Sequence, residues 1–95
     1  MPSISQLRKE EQALHALLFT QAQYKNYIPV KSDSLLQIAE AYYRTSSDSL
    51  HKAWTLFYLA QYYRDSDEKE KALSYFQQAN IASRNIENNQ FKFLL

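Results

Sequence analysis

Two histidines, a run of carboxylates and a set of serines are the side chains of this 95-residue sequence that could take part in chemistry. His15 and His51 lie far apart, the chain has no cysteine, and no acid–histidine spacing is repeated as a metal site would require. We interpret both imidazoles as solvated or helix-capping groups. The sequence therefore predicts no metal site.

The acidic run Asp65, Asp67, Glu68 and Glu70 has the appearance of a cation-binding loop. Such a loop needs a glycine at its sharp turn and a bidentate glutamate at its end, and this chain contains no glycine. Carboxylates also stabilise the first turn of a helix. We interpret Asp67, with Glu70 three residues later, as a capping pair that opens a helix.

Serines are frequent where the sequence predicts helix starts and turns. Their hydroxyls suit the capping of backbone N–H groups, and no base is spaced to activate any of them as a nucleophile. With no catalytic constellation, we expect a protein that is not an enzyme and that binds no cofactor. The serines concerned are Ser32, Ser34, Ser46, Ser47 and Ser49.

The composition of the chain narrows the range of possible functions and folds further. The formal net charge is +1, from 11 basic and 10 acidic residues, so the basic surface typical of nucleic-acid binders is not expected. The lack of glycine disfavours tight hairpins and phosphate-binding loops, whereas helices can end without glycine, with Asn or Asp in the left-handed conformation. The longest apolar run is too short to cross a membrane. We expect a soluble segment, cytoplasmic or periplasmic, with the compartment left undetermined.

The pattern of apolar residues predicts four helices and the start of a fifth. We place them from about Ser5 to Asn26, from Ser32 or Asp33 to about Arg44, from about Ser49 to Arg64, and from Asp67 to near Arg84. The inward face predicted for the first helix comprises Leu7, Leu14, Leu17, Leu18, Ala22 and Lys25. That of the second comprises Leu35, Ile38, Ala39 and Tyr42.

A regular pattern of small and bulky side chains runs through the last two complete helices. Alanines alternate with larger residues at helical spacing, which lets two antiparallel helices approach closely and interlock. The pattern is Leu56, Leu59, Ala60 and Tyr63, then Ala72, Phe76 and Ala79. It resembles the tetratricopeptide repeat, whose motif of about 34 residues has Trp and Gly where this chain has Leu56 and Ala60, and a late Pro that is missing here.

A weaker copy of the pattern lies 38 residues upstream, where Leu18 aligns with Leu56 and Ala22 with Ala60. The resemblance implies an all-α fold, a right-handed helical-repeat solenoid of antiparallel helix hairpins with about five helices. An ordinary helical hairpin preceding a single repeat remains the alternative. We assign one domain, residues 1–95, with a degenerate repeat at about 15–48, a better-matched repeat at about 53–86 and the start of a further helix at 88–95.

The first helix of each predicted pair has a further face that combines aromatic and polar residues. On each first helix of a pair, residues spaced at helical intervals combine apolar rings with amide and guanidinium groups. The resemblance implies that these positions line a concave groove that binds a peptide or partner helix. The predicted groove residues are Phe19, Gln23, Trp54, Phe57, Gln61 and Arg64. The alternative is that Trp54 and Phe57 belong to the core.

Phe91, Phe93, Leu94 and Leu95 give the last segment an apolar face. A helix this short is unstable alone in water, so we expect these residues to pack on a surface, either in a second copy, giving a homodimer, or on the chain's own last repeat. Two functions follow. The first is a non-catalytic protein–protein interaction scaffold. The second is a structural, sensory or self-association segment of a larger bacterial membrane-linked signalling protein. The paired tyrosines of this chain also resemble the sequences of such proteins.

Overall fold

The computed structural model describes residues 4–84, and in that range the chain forms four α-helices. They are α1 (Ile4–Lys25), α2 (Ser34–Tyr43), α3 (Ser49–Asp65) and α4 (Lys69–Ser83). The predicted all-α class is confirmed, and each helix begins and ends within about two residues of its predicted position. The predicted further helix at 88–95 lies outside the described residues.

The helices pack in sequential pairs. The contact of α3 with α4 is the most extensive, and α1 packs on α2. The third helix also contacts α2 and, less extensively, α1. Thus α3 is the central element, because it contacts all three of the other described helices.

The alanine pattern of α3 and α4 lies in the core, as its spacing predicts. Ala60 and Ala79 are fully enclosed, and Leu59 is among the largest buried side chains. Phe76 differs, since it is only partly buried and packs on the edge of the core. The small residues permit the close approach of α3 and α4, while Phe76 is left beside a surface groove.

The predicted inward faces of α1 and α2 were wrong in part. Leu18 and Ile38 are exposed at 49% and 46%, and Ala22 and Lys25 are exposed as well. The buried stripe of α1 is instead Ala13, Ala16, Leu17 and Thr20, and that of α2 is Leu36, Ala39 and Tyr43. Ala13 and Ala16 allow close packing of α1 on α2, and Leu18 is left on the exposed side of α1.

Two helices end on non-glycine residues in the left-handed conformation. Tyr27 has φ 57° and Asp67 has φ 63°. In both turns the residue after the left-handed one donates its backbone N–H to the carbonyl oxygen of the residue five positions earlier. Ile28 donates to Gln23 and Glu68 donates to Tyr63, each at 2.8 Å. These bonds satisfy carbonyls that the helix end would leave unpaired. Asp67 therefore closes α3 and does not cap α4, and the predicted capping pair was wrong: Glu68 is the N-cap, without a side-chain cap bond.

Candidate functional site

A groove between α3 and α4 contains three of the predicted site residues, Phe57, Gln61 and Arg64. It encloses about 360 Å³. Residues on successive turns of both helices line it: Phe57, Gln61, Arg64, Leu73, Phe76, Gln77 and Asn80. We call this surface the α3–α4 groove. Its volume lies within the range of pockets that bind small ligands or peptide side chains.

Aromatic rings form the apolar wall of the groove. The Phe57 and Phe76 rings meet edge to face, with centroids 5.9 Å apart. Trp54 is not among the residues that line the groove; its ring centroid lies 6.0 Å from that of Phe57, edge to face, and 5.6 Å from that of Tyr58, on which it stacks. Trp54 and Phe57 are each partly buried against the core. Both rings therefore belong partly to the core and partly to the surface. Neither of the two interpretations made from the sequence, groove residues or core residues, describes them fully.

Polar groups form the rim. Arg64 is exposed at the end of α3, and its guanidinium lies 3.8 Å from the carboxylate of Asp65 in a loose, solvent-accessible ion pair. Such a pair restrains the arginine only weakly. Gln61 is half-buried, whereas Gln77 is exposed. The rim thus offers amide donors and acceptors and one cation around an aromatic wall.

The six predicted groove residues do not come together in one cavity. Phe57, Gln61 and Arg64 line the α3–α4 groove, whereas Phe19 and Gln23 line a separate cavity of about 380 Å³ beside the α1–α2 connection. Helices α1 and α3 meet where the Tyr24 ring stacks on the Tyr58 ring, with centroids 5.2 Å apart. Phe19, five residues before Tyr24, is turned away from that contact by about 140° around the helix.

The α4 side of the groove was missed by the sequence interpretation. Leu73, Gln77 and Asn80 follow each other at four- and three-residue steps and so share one face of α4. The signal in the sequence was Leu73, an apolar residue that the buried alanine pattern of α4 does not use; it is 59% exposed.

A second polar cluster links α2, α3 and α4 through Tyr63. The Tyr63 hydroxyl donates to Asp33 Oδ2 at 2.6 Å, and Gln37 Nε2 donates to the same oxygen at 3.1 Å. The tyrosine hydrogen bond lowers the pKa of Asp33. The same bond, with burial, raises the pKa of Tyr63 to about 12. Because neither group exchanges a proton near neutral pH, this cluster suits structure and not acid–base catalysis.

His51 forms a pair with Asp48 that has a structural explanation. The His51 ring contacts Asp48 Oδ2 at 2.6 Å through Nδ1, while its backbone N–H donates to Oδ1 at 3.1 Å. Asp48 is the N-cap of α3. The Asp48 carboxylate therefore caps the start of the central helix, and the His51 ring contacts that carboxylate.

Within residues 4–84, no group of three or more histidine or acidic side chains could hold a metal ion. Among the four helices, none combines the length and the apolar character needed to cross a membrane. Comparisons with protein-family models, with curated protein sequences and with solved structures find no match to this chain. The resemblance to the tetratricopeptide repeat thus rests on residue spacing alone.

Proposed function

We propose that this chain is a non-catalytic protein-interaction module that binds a peptide or partner helix in the α3–α4 groove. The observation that carries the proposal is the combination of an aromatic wall with a polar rim in one cavity of about 360 Å³. Buried aromatic contacts supply most of the affinity at peptide sites, and a polar rim supplies orientation. No group in the groove is arranged to act as a nucleophile or base.

The groove chemistry specifies the kind of peptide. An apolar side chain would pack against the rings of Phe57 and Phe76, whereas a carboxylate would pair with Arg64. The amides of Gln61 and Gln77 would hydrogen-bond the peptide backbone or polar side chains. We therefore expect a partner segment that combines an aromatic or aliphatic anchor with an acidic residue, presented on a helix or an extended strand.

The packing of α3 on α4 supports the wider proposal that the chain is a short helical-repeat solenoid. Ala60, Ala72 and Ala79 are all buried, which agrees with the small-residue positions of the motif. Such repeats stack on their neighbours and present extended binding surfaces. In this proposal, α1 and α2 form the degenerate first repeat and α3 and α4 the second.

Titration of the full chain with a short amphipathic probe peptide tests the function. The probe carries Phe and Leu on one helical face and a Glu at one end, and in the control peptide Ser replaces Phe. We expect saturable chemical-shift changes at Gln61, Leu73 and Gln77 with the probe and much weaker ones with the control. Equal responses to the two peptides, or shifts confined to α1 and α2, would refute a binding site in the α3–α4 groove.

A further inference from the structure

We infer that a groove between α1 and α2 is a further interaction surface, and that it binds an acidic amphipathic helix of a partner protein. This groove shares no lining residue with the α3–α4 groove, so the inference does not rest on the proposed function. Its basis is the placement of apolar side chains along the groove and of basic side chains at its two ends.

Three adjoining cavities form this one continuous surface. Cavities of about 730 and 660 Å³ meet at Gln12 and Ile38, which line both of them. The second of these meets a cavity of about 380 Å³ at Leu35. We call the whole surface the α1–α2 groove. It extends along α1 from Lys9 to Gln23, about 21 Å, which is the length of a helix of about 14 residues.

The floor of the α1–α2 groove is apolar and is only partly used by the core. Phe19 and Ile38 are half-exposed, and Leu35 is partly buried. Phe19 and Leu35 line one cavity and Leu35 and Ile38 the next, so the three side chains are neighbours. The His15 ring stacks on Phe19 with centroids 6.4 Å apart and extends this surface along α1. Apolar side chains exposed next to each other are typical of a contact surface.

Basic side chains lie at both ends of the α1–α2 groove. Arg8 and Lys9 are exposed at one end, and Lys31 is exposed at the other. Among the described residues, none of these three takes part in an ion pair. Glu11 is the one acidic side chain among the described residues that line the groove. The groove therefore carries an excess of positive charge, and carboxylates of a partner could pair with its basic ends.

The distribution of charge favours a partner helix over a second copy of this chain. A two-fold contact would pair the α1–α2 groove with itself. In the antiparallel arrangement Arg8 and Lys9 would face Lys31 of the second copy, and in the parallel arrangement each would face its own counterpart. Like charges brought together disfavour an interface. A helix with acidic residues near both ends and apolar residues between them complements the whole groove, as amphipathic helices do in apolar grooves.

Titration of the full chain with designed peptides tests the inference. The probe is a helical peptide of about 14 residues, matched to the groove, with Leu on one face and Glu at both ends. In the control peptide Lys replaces each Glu. We expect saturable chemical-shift changes at Gln12, His15 and Ile38 with the probe, and an affinity about tenfold lower for the control. Equal affinities, or no shifts at these residues, would overturn the inference.

The same titration reports on the α3–α4 groove separately. Binding there would shift the signals of Gln61, Leu73 and Gln77, which do not line the α1–α2 groove. Shifts confined to these three residues would overturn the further inference and leave the proposed function standing. Shifts confined to the α1–α2 groove would support the inference and count against the proposed function.

Charge reversal tests the role of the basic ends. The variant Arg8→Glu/Lys31→Glu should bind the Glu probe about tenfold more weakly than the unsubstituted chain does, and the Lys control more tightly. The matched variant Lys25→Glu/Lys69→Glu changes the net charge equally at exposed positions outside the α1–α2 groove. It should keep the preference for the Glu probe. Equal effects of the two variants would assign the attraction to net charge and overturn the inference.

Ile38→Ser tests the apolar floor. Because the side chain is half-exposed, we expect the variant to keep its thermal unfolding midpoint and to bind the probe several-fold more weakly. If that variant does not fold, Phe19→Ser replaces it, since Phe19 is half-exposed as well. An unchanged affinity in the folded variant would show that the floor makes no contact with the peptide, and would overturn the inference.

Sedimentation of the full chain distinguishes a partner helix from a second copy. We expect Ile38→Glu to leave the oligomeric state of the chain unchanged, because no second copy occupies the α1–α2 groove. An oligomer of the unsubstituted chain that Ile38→Glu dissociates would show that the groove is an interface between copies. That result would overturn the assignment to a partner helix.

Discussion

Tyr63, near the end of α3, donates a hydrogen bond of 2.6 Å to the carboxylate of Asp33, the N-cap residue of α2. The bond joins residues 30 apart in the sequence. Tyr75 of α4 stacks on the Tyr63 ring at 5.6 Å, and the Lys71 ammonium lies 5.1 Å from its centroid. A single side chain therefore connects the first helix pair to the second.

We expect Tyr63→Phe to lower the free energy of unfolding by about 1 kcal/mol. Removal of the hydroxyl leaves Asp33 with one fewer donor, and a bond to a charged group contributes more than a neutral one. The partly exposed carboxylate reduces that contribution. Urea unfolding measures the loss, with Tyr62→Phe on the neighbouring, half-buried position as the control. Equal stabilities of the two variants would argue against a stabilising link through Tyr63.

The same bond makes stability depend on pH at both extremes. Because the pKa of Asp33 is lowered on folding, its contribution is complete above the ordinary aspartate pKa of about 4 and is lost as pH falls below it. The pKa of Tyr63 is raised to about 12, so its contribution is complete below about pH 10 and is lost between about pH 10 and 12. Asp33→Asn should flatten the acid limb of a stability–pH curve. An unchanged acid limb would contradict this assignment.

Tyr24→Phe should have the opposite effect to Tyr63→Phe. Within the described part of the chain, the buried Tyr24 hydroxyl oxygen has no hydrogen-bond partner. Burial is the main cause that raises the pKa of Tyr24 to about 12. Deleting an unsatisfied buried hydroxyl removes a desolvation cost, so we expect stability to be unchanged or to rise by up to about 1 kcal/mol. A loss comparable to that of Tyr63→Phe in the same urea experiment would show that the hydroxyl is paired.

The helices and the α3–α4 crossing could be predicted from the sequence because both depend on local spacing. Pro29 and the acidic turn before α4 set boundaries, and alanines at helical intervals identified the crossing. The rotation of α1 could not be predicted in the same way, since Leu14, Leu17 and Leu18 place apolar side chains on more than one face of it. In that situation tertiary packing decides which face is buried.

The candidate site was predictable only on its α3 side. Phe57, Gln61 and Arg64 share a helical face that is visible in the sequence, whereas the contribution of α4 depends on how deeply Phe76 enters the core. The Tyr63–Asp33 bond has no local signal either. Contacts between residues far apart in sequence depend on the relative placement of whole helices, which residue spacing within each helix does not determine.

Ala60→Leu should destabilise the chain by about 1–3 kcal/mol, because Ala60 is fully buried and extra methylene groups overpack a helix crossing. The matched control is Ala22→Leu, the aligned position upstream, which the structure shows to be exposed. That substitution should change stability by less than about 0.5 kcal/mol. Thermal unfolding compares the two. Equal effects would mean that the crossing does not depend on a small residue at position 60.

Arg64→Ala should weaken binding of the acidic probe without affecting folding. The guanidinium is exposed and only loosely paired with Asp65, so the free energy of unfolding should change by less than about 0.5 kcal/mol. A carboxylate on the probe would lose its charge-assisted partner, for an expected loss of about 1 kcal/mol in binding free energy, roughly five-fold in Kd.

Lys25→Ala, which removes one exposed charge from α1, is the control for nonspecific attraction between the probe and the chain. Because added salt screens the pair, the difference between the two variants should shrink as ionic strength rises. Equal weakening by both variants would assign the effect to net charge and would remove Arg64 from the site.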